Sequence, residues 1–421
     1  MLLVRALRVA ALAWTAAVLV AACTPSAQTP SAQTPRETPT VDWRSVRCDA
    51  AVGSPRNASD VPGFARNGFW KTDLGRHCVP LSEIVNGGPS PDGIPPLDSP
   101  RFYEQSRATW LQPQEPVIAV VERGEARAYP LQILLWHEIA NDTIAGRPIV
   151  VTFCPLCNTS LVFDRRVGGR ELTFGTTGLL RLSDLVMWDR QTHSWWQQAL
   201  GEGIVGSFTG TRLERIDSQI LSFEEFSRAY PDGLVLSREA ANDEAKAKTG
   251  DGRHYGTNPY VGYDKPDTGP LAGFWTSAPF DGRLPPKSRV TVATFIDPPI
   301  AYRTDALNWA VAKNDQSGGK RFVLFYLGGV ASPLDRAATA EGNDVGQSAF
   351  FDPTVDGRLL TFRGGDRRRA FLDDETGSEW TITGVAVSGP LKGRQLARLP
   401  SDTTFWFVWA AFRPDTEVRT P

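Results

Sequence analysis

Cysteine is scarce in these 421 residues, at five, and methionine scarcer still, with only Met187 beyond the first residue. Charge of one sign is also missing: the net charge is -2 and no basic stripe is present, so nothing points to nucleic acid as a partner. No glycine-rich phosphate loop, serine-centred nucleophile elbow or His-Glu-x-x-His helix occurs, which removes the commonest signatures of nucleotide, acyl-transfer and zinc-protease chemistry. Long apolar runs are absent too. The stretch from Val9 to Ala22 falls short of the ~20 residues needed to cross a bilayer.

That stretch, preceded by Arg5 and Arg8, reads instead as a secretory signal peptide over residues 1–22. Val20-Ala21-Ala22-Cys23 resembles the lipobox of bacterial lipoproteins, which implies cleavage before Cys23 and a diacylglycerol on its sulfur. The expectation is an extracytoplasmic protein attached to a bacterial membrane through its N-terminal lipid. Residues 23–42, rich in Thr, Pro, Ser, Ala and Gln, carry too little apolar surface to fold and read as a spacer. An irregular Gly/Pro/Asn-rich segment occupies 43–112, and the remainder is long enough to build a large core.

Four cysteines remain. Cys48 and Cys78, both in the irregular segment, pair most simply as a structural disulfide in an oxidising compartment. With no second Cys-x-x-Cys, a four-thiolate zinc site is disfavoured. Cys154-Pro155-Leu156-Cys157 stands where an apolar strand (148–153) ends and a hairpin (163–174) begins, and two such thiols can close a disulfide, share a metal, or act as nucleophile and resolver.

The chain also matches itself. Phe163-Asp164-x-x-Val167-x-Gly169-Arg170-x-Leu172-Thr173-Phe174 recurs as Phe351-Asp352-x-x-Val355-x-Gly357-Arg358-x-Leu360-Thr361-Phe362. Asp189, Thr192, Ser194 and Trp196 recur as Asp373, Thr376, Ser378 and Trp380, and these read as turn and hairpin residues; Asp164 and Arg170 suggest a cross-strand pair. The expected fold is α+β, sheet-dominated, in two internally duplicated lobes with short helices, spanning 113–282 and 283–421. Each lobe reads as strand, short helix (Leu131 to Ala140 in the first) ending at Asn-Asp, buried strand, hairpin, and a later helix with aromatics at i and i+3.

Within that frame Cys154 faces Tyr326, His137 faces Ala310, Glu138 faces Val311, Met187 faces Phe371 and His193 faces Gly377, while Cys157 falls opposite an insertion near 328–348. The chemistry is therefore expected in the first copy. His137 is a candidate base or nitrogen ligand. Glu138 reads as solvated, or else as orienting His137. Met187 and His193 complete a possible copper or zinc set with Cys154, Cys157 and His137, although Met187 also reads as core filling. The turn Cys-Pro-x-Cys looks like a metal knuckle that aims backbone N–H groups at the sulfurs. Between the copies, 237–282 reads as a long aromatic loop in which Tyr255, Tyr260 and Tyr263 form a lid or binding surface, or simply a linker.

Ala126 to Leu131, Trp136-His137-Glu138-Ile139-x-Asn141-Asp142, Val151 to Cys157 and Ser183 to Arg190 resemble the bacterial family catalogued as domain of unknown function 3179, from about Gln112 onward. Relatives with selenocysteine in the Cys-Pro-Leu-Cys motif imply redox chemistry at the position of Cys154 or Cys157. Many relatives have Gly where this chain has Asn158, and Asn tolerates the left-handed conformation such a turn requires. Three readings follow: a thiol-redox centre at Cys154 and Cys157 with His137 as base, working with a redox partner; a copper or zinc site; or a cell-envelope binding lipoprotein.

Overall fold

A computed structural model describes residues 63–420 apart from 67, 276–279, 306, 308 and 366–370. The signal segment, Cys23, the spacer and Cys48 lie outside the described residues. The fold is sheet-dominated α+β with few, short helices.

One sheet carries Phe102–Glu104, Leu234–Leu236, Glu125–Pro130, Pro116–Glu122 and Ser218–Ser222. Within Pro116–Glu122 the first five residues are all apolar because both faces there are buried, whereas Val121 and Glu122 reach solvent. Ile118 and Val120 enter the main core, and Val117 and Ala119 enter a second core with Val323, Phe325, Phe351 and Trp380 from the other half. A second sheet places Ile139–Ile144, Arg147–Cys154, Thr159–Asp164 and Arg215–Ile216 side by side. A third runs Ile84–Asn86, Phe174–Arg181, Asp184–Asp189, Trp195–Gln197 and Glu202–Val205.

The C-terminal half holds sheets of related order. Ser401–Phe405, Arg289–Ala293, Ile300–Arg303 and Glu417–Arg419 form one; Val311–Ser317, Lys320–Leu327, Gln347–Phe351 and Arg398–Leu399 another; Phe362–Gly364, Phe371–Asp373 and Glu379–Trp380 a third. The small-scale wiring recurs as well. Asp189 accepts from Thr192 N and Trp196 Nε1 at 2.7 and 2.9 Å, and Asp373 accepts from Thr376 N and Trp380 Nε1 at 2.6 and 2.9 Å. Asn141 exchanges two hydrogen bonds with Phe174, and Asn314 does the same with Phe362.

Three sequence expectations change. The helix expected from Leu131 to Ala140 is a single turn, Leu131–Leu134. Glu138 at φ 58° breaks it, and Ile139–Ile144 pairs with Arg147–Cys154 because its β-branched residues suit a strand there, while the Asn141 amide is held by Asp98 and Phe174. The stretch 237–282 is not loop throughout, since Arg238–Thr249 is a helix capped by Ser237 Oγ on Ala240 N. Asp164 pairs with Arg147 and Arg166 at 2.9 and 2.6 Å rather than with Arg170, which is exposed on its two-residue strand.

The helices with aromatics at i and i+3 are present as Phe223–Ala229 and Trp406–Phe412, ending before Pro231 and Pro414.

Candidate functional site

Strands Arg147–Cys154 and Thr159–Asp164 pair down to Cys154 opposite Thr159, which leaves residues 155–158 to close the turn. Asn158 takes φ 52°, the left-handed value its side chain tolerates. Cys154 and Cys157 are not joined to each other and are both buried, at 2 % and 0 % exposure. The turn does not aim its N–H groups at the sulfurs as expected. Cys157 N donates to Cys154 O and Asn158 N to Pro155 O, so the turn satisfies its own carbonyls. The backbone donor beside Cys154 is instead the N–H of Leu185.

Leu185 belongs to the neighbouring hairpin, in which Arg181 pairs with Asp184 around Leu182 and Ser183. Both turn residues have positive φ, 53° and 61°, the geometry that matches strand twist but normally uses Asn or Gly. That local cost brings two oxygen atoms to the thiols. Ser183 O lies 3.3 Å from Cys157 Sγ, and Asp184 Oδ1 accepts from Cys157 Sγ at 3.1 Å.

Asp184 is fully buried and asymmetrically held. Oδ2 accepts from Gln197 Nε2 at 2.6 Å and from Ala199 N at 2.9 Å, which leaves Oδ1 to the sulfurs. Gln197 is itself fixed by Arg181, whose guanidinium pairs with Glu83. One donor atom each from Cys154, Cys157 and Asp184 lie within 4.8 Å of one another.

Charge is expensive here. Burial pushes both thiols up, Cys157 well above its ordinary range with Cys154 and Asp184 adding to the effect. Burial likewise raises Asp184 to about 6 despite its hydrogen bonds, and raises Glu138, beside Asp184, to about 8. The pocket is a set of acids that resist ionising without a cation.

The C-terminal half holds the turn from behind. Phe405 N donates to Cys157 O at 3.0 Å, Thr404 Oγ1 reaches the same oxygen at 3.2 Å, and Thr404 Oγ1 meets Thr159 Oγ1 at 2.8 Å. From the front, Ser183 N and Oγ both donate to Phe274 O, and the Tyr263 hydroxyl donates to Leu156 O at 3.0 Å. Tyr260 and Tyr263 thus border the thiols, and they also line an open cleft of about 420 Å³ with Pro259, Val261, Leu271 and Lys287.

The remaining candidates are elsewhere. His137 is buried, with Nδ1 donating to Pro95 O at 2.7 Å and Nε2 accepting from the Tyr255 hydroxyl at 2.5 Å. Both nitrogens are occupied and it does not join the donor group, and Tyr255 belongs to this pair. Glu138 is buried at 8 % exposure and makes no hydrogen bond to His137. His193 packs among Phe69, Trp70 and Trp188. Met187 lies in the core at 0 % exposure. Neither joins the donor group of the described residues. Cys78 is disulfide-bonded and buried, its expected partner Cys48 being outside the described residues.

Asp184 is the residue that sequence reasoning passed over. A signal existed, since at the offset that sets Met187 against Phe371, Asp184 faces Arg368, so this acid too has no like residue at the matched position of the C-terminal half.

No curated protein and no solved structure matches the chain. Residues 91–416 match the family described as protein of unknown function (DUF3179), a span that contains Cys154, Cys157, Asp184 and the C-terminal strand behind them, and the chain belongs to that family.

Proposed function

We propose that the protein is a metal-binding protein whose centre is Cys154 Sγ, Cys157 Sγ and Asp184 Oδ1. The observation that carries this reading is the asymmetry of Asp184: one oxygen is saturated by Gln197 and Ala199, and the other is directed at two buried sulfurs. Orientation of a carboxylate ligand by such outer hydrogen bonds is a regular property of metal sites. The donors are acids whose ionisation burial opposes, and a divalent cation removes that penalty. Two thiolates with one carboxylate suit zinc, the carboxylate weighing against monovalent copper, and three protein ligands leave a fourth position open. Lipid attachment at Cys23 would hold this centre outside the cytoplasm, with the C-terminal half as a duplicated copy that kept its scaffold and lost its chemistry.

The test is elemental mass spectrometry of the full-length protein in detergent, with Cys154→Ser, Cys157→Ser and Asp184→Asn variants. Stoichiometric zinc in the wild type and its loss from each variant is expected. Metal-free protein that takes up no zinc would overturn the reading.

A second reading is favoured by the Cys157 thiol's hydrogen bond to Asp184, which supplies a proton acceptor. In it, one thiol attacks a protein disulfide and the other displaces the mixed disulfide. Cys154 and Cys157 end joined and the partner's two sulfurs leave as thiols. Metal-free protein in which the pair cycles between thiol and disulfide is the outcome that would favour it. The raised thiols and their burial speak against it, because thiolate and access govern that exchange.

A further inference from the structure

A partly enclosed cavity of about 30 Å³ lies where the two halves meet. At that size it admits a group of a few heavy atoms. The first half contributes Pro116, Leu131 and Ile220 to its lining, and the second contributes Arg289, Thr304 and Thr403. These six occupy matched positions. The alignment that sets Asn141 against Asn314 sets Pro116 against Arg289, each opening its strand, and Leu131 against Thr304. Ser222 pairs with Pro116 as Phe405 pairs with Arg289, which sets Ile220 against Thr403. Three apolar residues of one half are thus answered by three polar ones of the other around a single cavity. Polar groups at positions that apolar ones can fill cost stability unless they have partners.

Gln347 shows that one partner is missing. It lines the cavity at 3 % exposure, and its Oε1 accepts from Ser222 N at 3.1 Å, which fixes the orientation of the amide. Its buried Nε2 has no hydrogen-bond partner. A buried donor left in that state calls for an acceptor. Beside it, Arg289 bonds within the described residues through Nη2, to Asp264 Oδ2 at 2.8 Å and Ser332 Oγ at 2.7 Å. Asp264 balances the guanidinium charge, so the cavity offers hydrogen-bond donors without surplus positive charge.

We propose that this cavity is a binding site for a small uncharged carbonyl compound, whose oxygen accepts from Gln347 Nε2 and from the Arg289 guanidinium while its carbon substituents meet Pro116, Leu131 and Ile220. An uncharged oxygen fits where a carboxylate does not, because the Arg289–Asp264 pair is already balanced and a further buried anion would stand unpaired. The lining includes Asn158 of the cysteine turn but none of Cys154, Cys157 and Asp184, so the site is separate from the metal centre and does not depend on that reading.

The test is saturation-transfer NMR on the full-length protein in detergent, titrated with acetamide or with acetate, its anion of the same shape. Acetamide is expected to bind, and acetate to bind at least about 10-fold more weakly. Gln347→Glu keeps an acceptor for Ser222 N and removes the Nε2 donor, and Thr403→Leu intrudes on the cavity from its partly exposed edge. Each should weaken acetamide by roughly 10-fold or more in protein that still melts cooperatively. A wild type that binds neither probe would show that the cavity holds water alone and would overturn the inference. Acetate binding as tight as acetamide, or acetamide affinity unchanged in either variant that folds, would overturn it as well.

Discussion

At the scale of single residues, burial decides which groups carry chemistry. Gln197 touches no sulfur, yet it holds Asp184 Oδ2 at 2.6 Å and so fixes which oxygen faces the thiols. Gln197→Leu is expected to weaken zinc by ~10–100-fold in a chelator competition while leaving both cysteines reduced and the fold intact.

His137 acts on stability instead. Burial, with Arg253 and Lys248 nearby, lowers it to about 4, and its contacts are the Pro95 carbonyl and the Tyr255 hydroxyl. The unfolded chain takes up this proton first, near 6.5, so the stability it contributes is complete above that pH and is lost as the pH falls toward 4. The full loss is about 3 kcal/mol. Glu138 has the opposite sign: burial raises it to about 8, so its contribution is complete below about 4.5 and is lost as the pH rises toward 8. The measurement is therefore a difference. Urea unfolding at pH 7 and pH 4.5 should show a larger acid destabilisation for the wild type than for His137→Gln, and equal slopes would refute the assignment.

At the scale of elements, two tight hairpins build the centre, and both use positive φ. Asn158 at 52° closes the cysteine turn, and Leu182 and Ser183 at 53° and 61° present Asp184. Asn158→Gly is expected to be close to neutral in thermal unfolding, whereas Asn158→Val should cost roughly 1–2 kcal/mol, because a β-branched side chain clashes in that region. A Val variant as stable as the wild type would show that the turn can relax to another conformation. Element identity was only partly legible beforehand. The buried strand before Cys154, both glycine hairpins and the aromatic helices announced themselves by period and turn chemistry. The segment 139–144 did not, since its helix-like spacing was overridden by six backbone pairings with Arg147–Cys154. The helix Arg238–Thr249 was hidden inside a Gly- and Tyr-rich stretch although Ser237 supplied its cap.

At the scale of the whole molecule, the half without cysteines is part of the site. Phe405 and Thr404 hold the Cys157 carbonyl, and Val323, Phe325 and Phe351 share one core with Val117, Ala119 and Leu221. Buried polar ties cross the same boundary, with Thr339 donating to Glu115 at 2.7 Å and Arg289 joining Asp264 and Ser332. A chain ending at residue 282 would expose that shared core. It is expected to give no cooperative melting transition by circular dichroism and no zinc uptake. A folded, zinc-binding fragment would show that the C-terminal half is dispensable.

By itself the sequence determined the sheet-rich class, the family, the cysteine pair and the half that carries it. Those properties are written in short-range patterns: alternation of apolar residues, glycine at turns, two thiols three positions apart, and a comparison of one half with the other. Only the tertiary structure decided that Asp184 lies beside the two thiols and that His137 is spent on Tyr255 and Pro95. The reason is physical. Which acid meets which thiol depends on how a hairpin about 30 residues away packs against the cysteine turn, and that packing is fixed by burial summed over both halves rather than by any local run of residues.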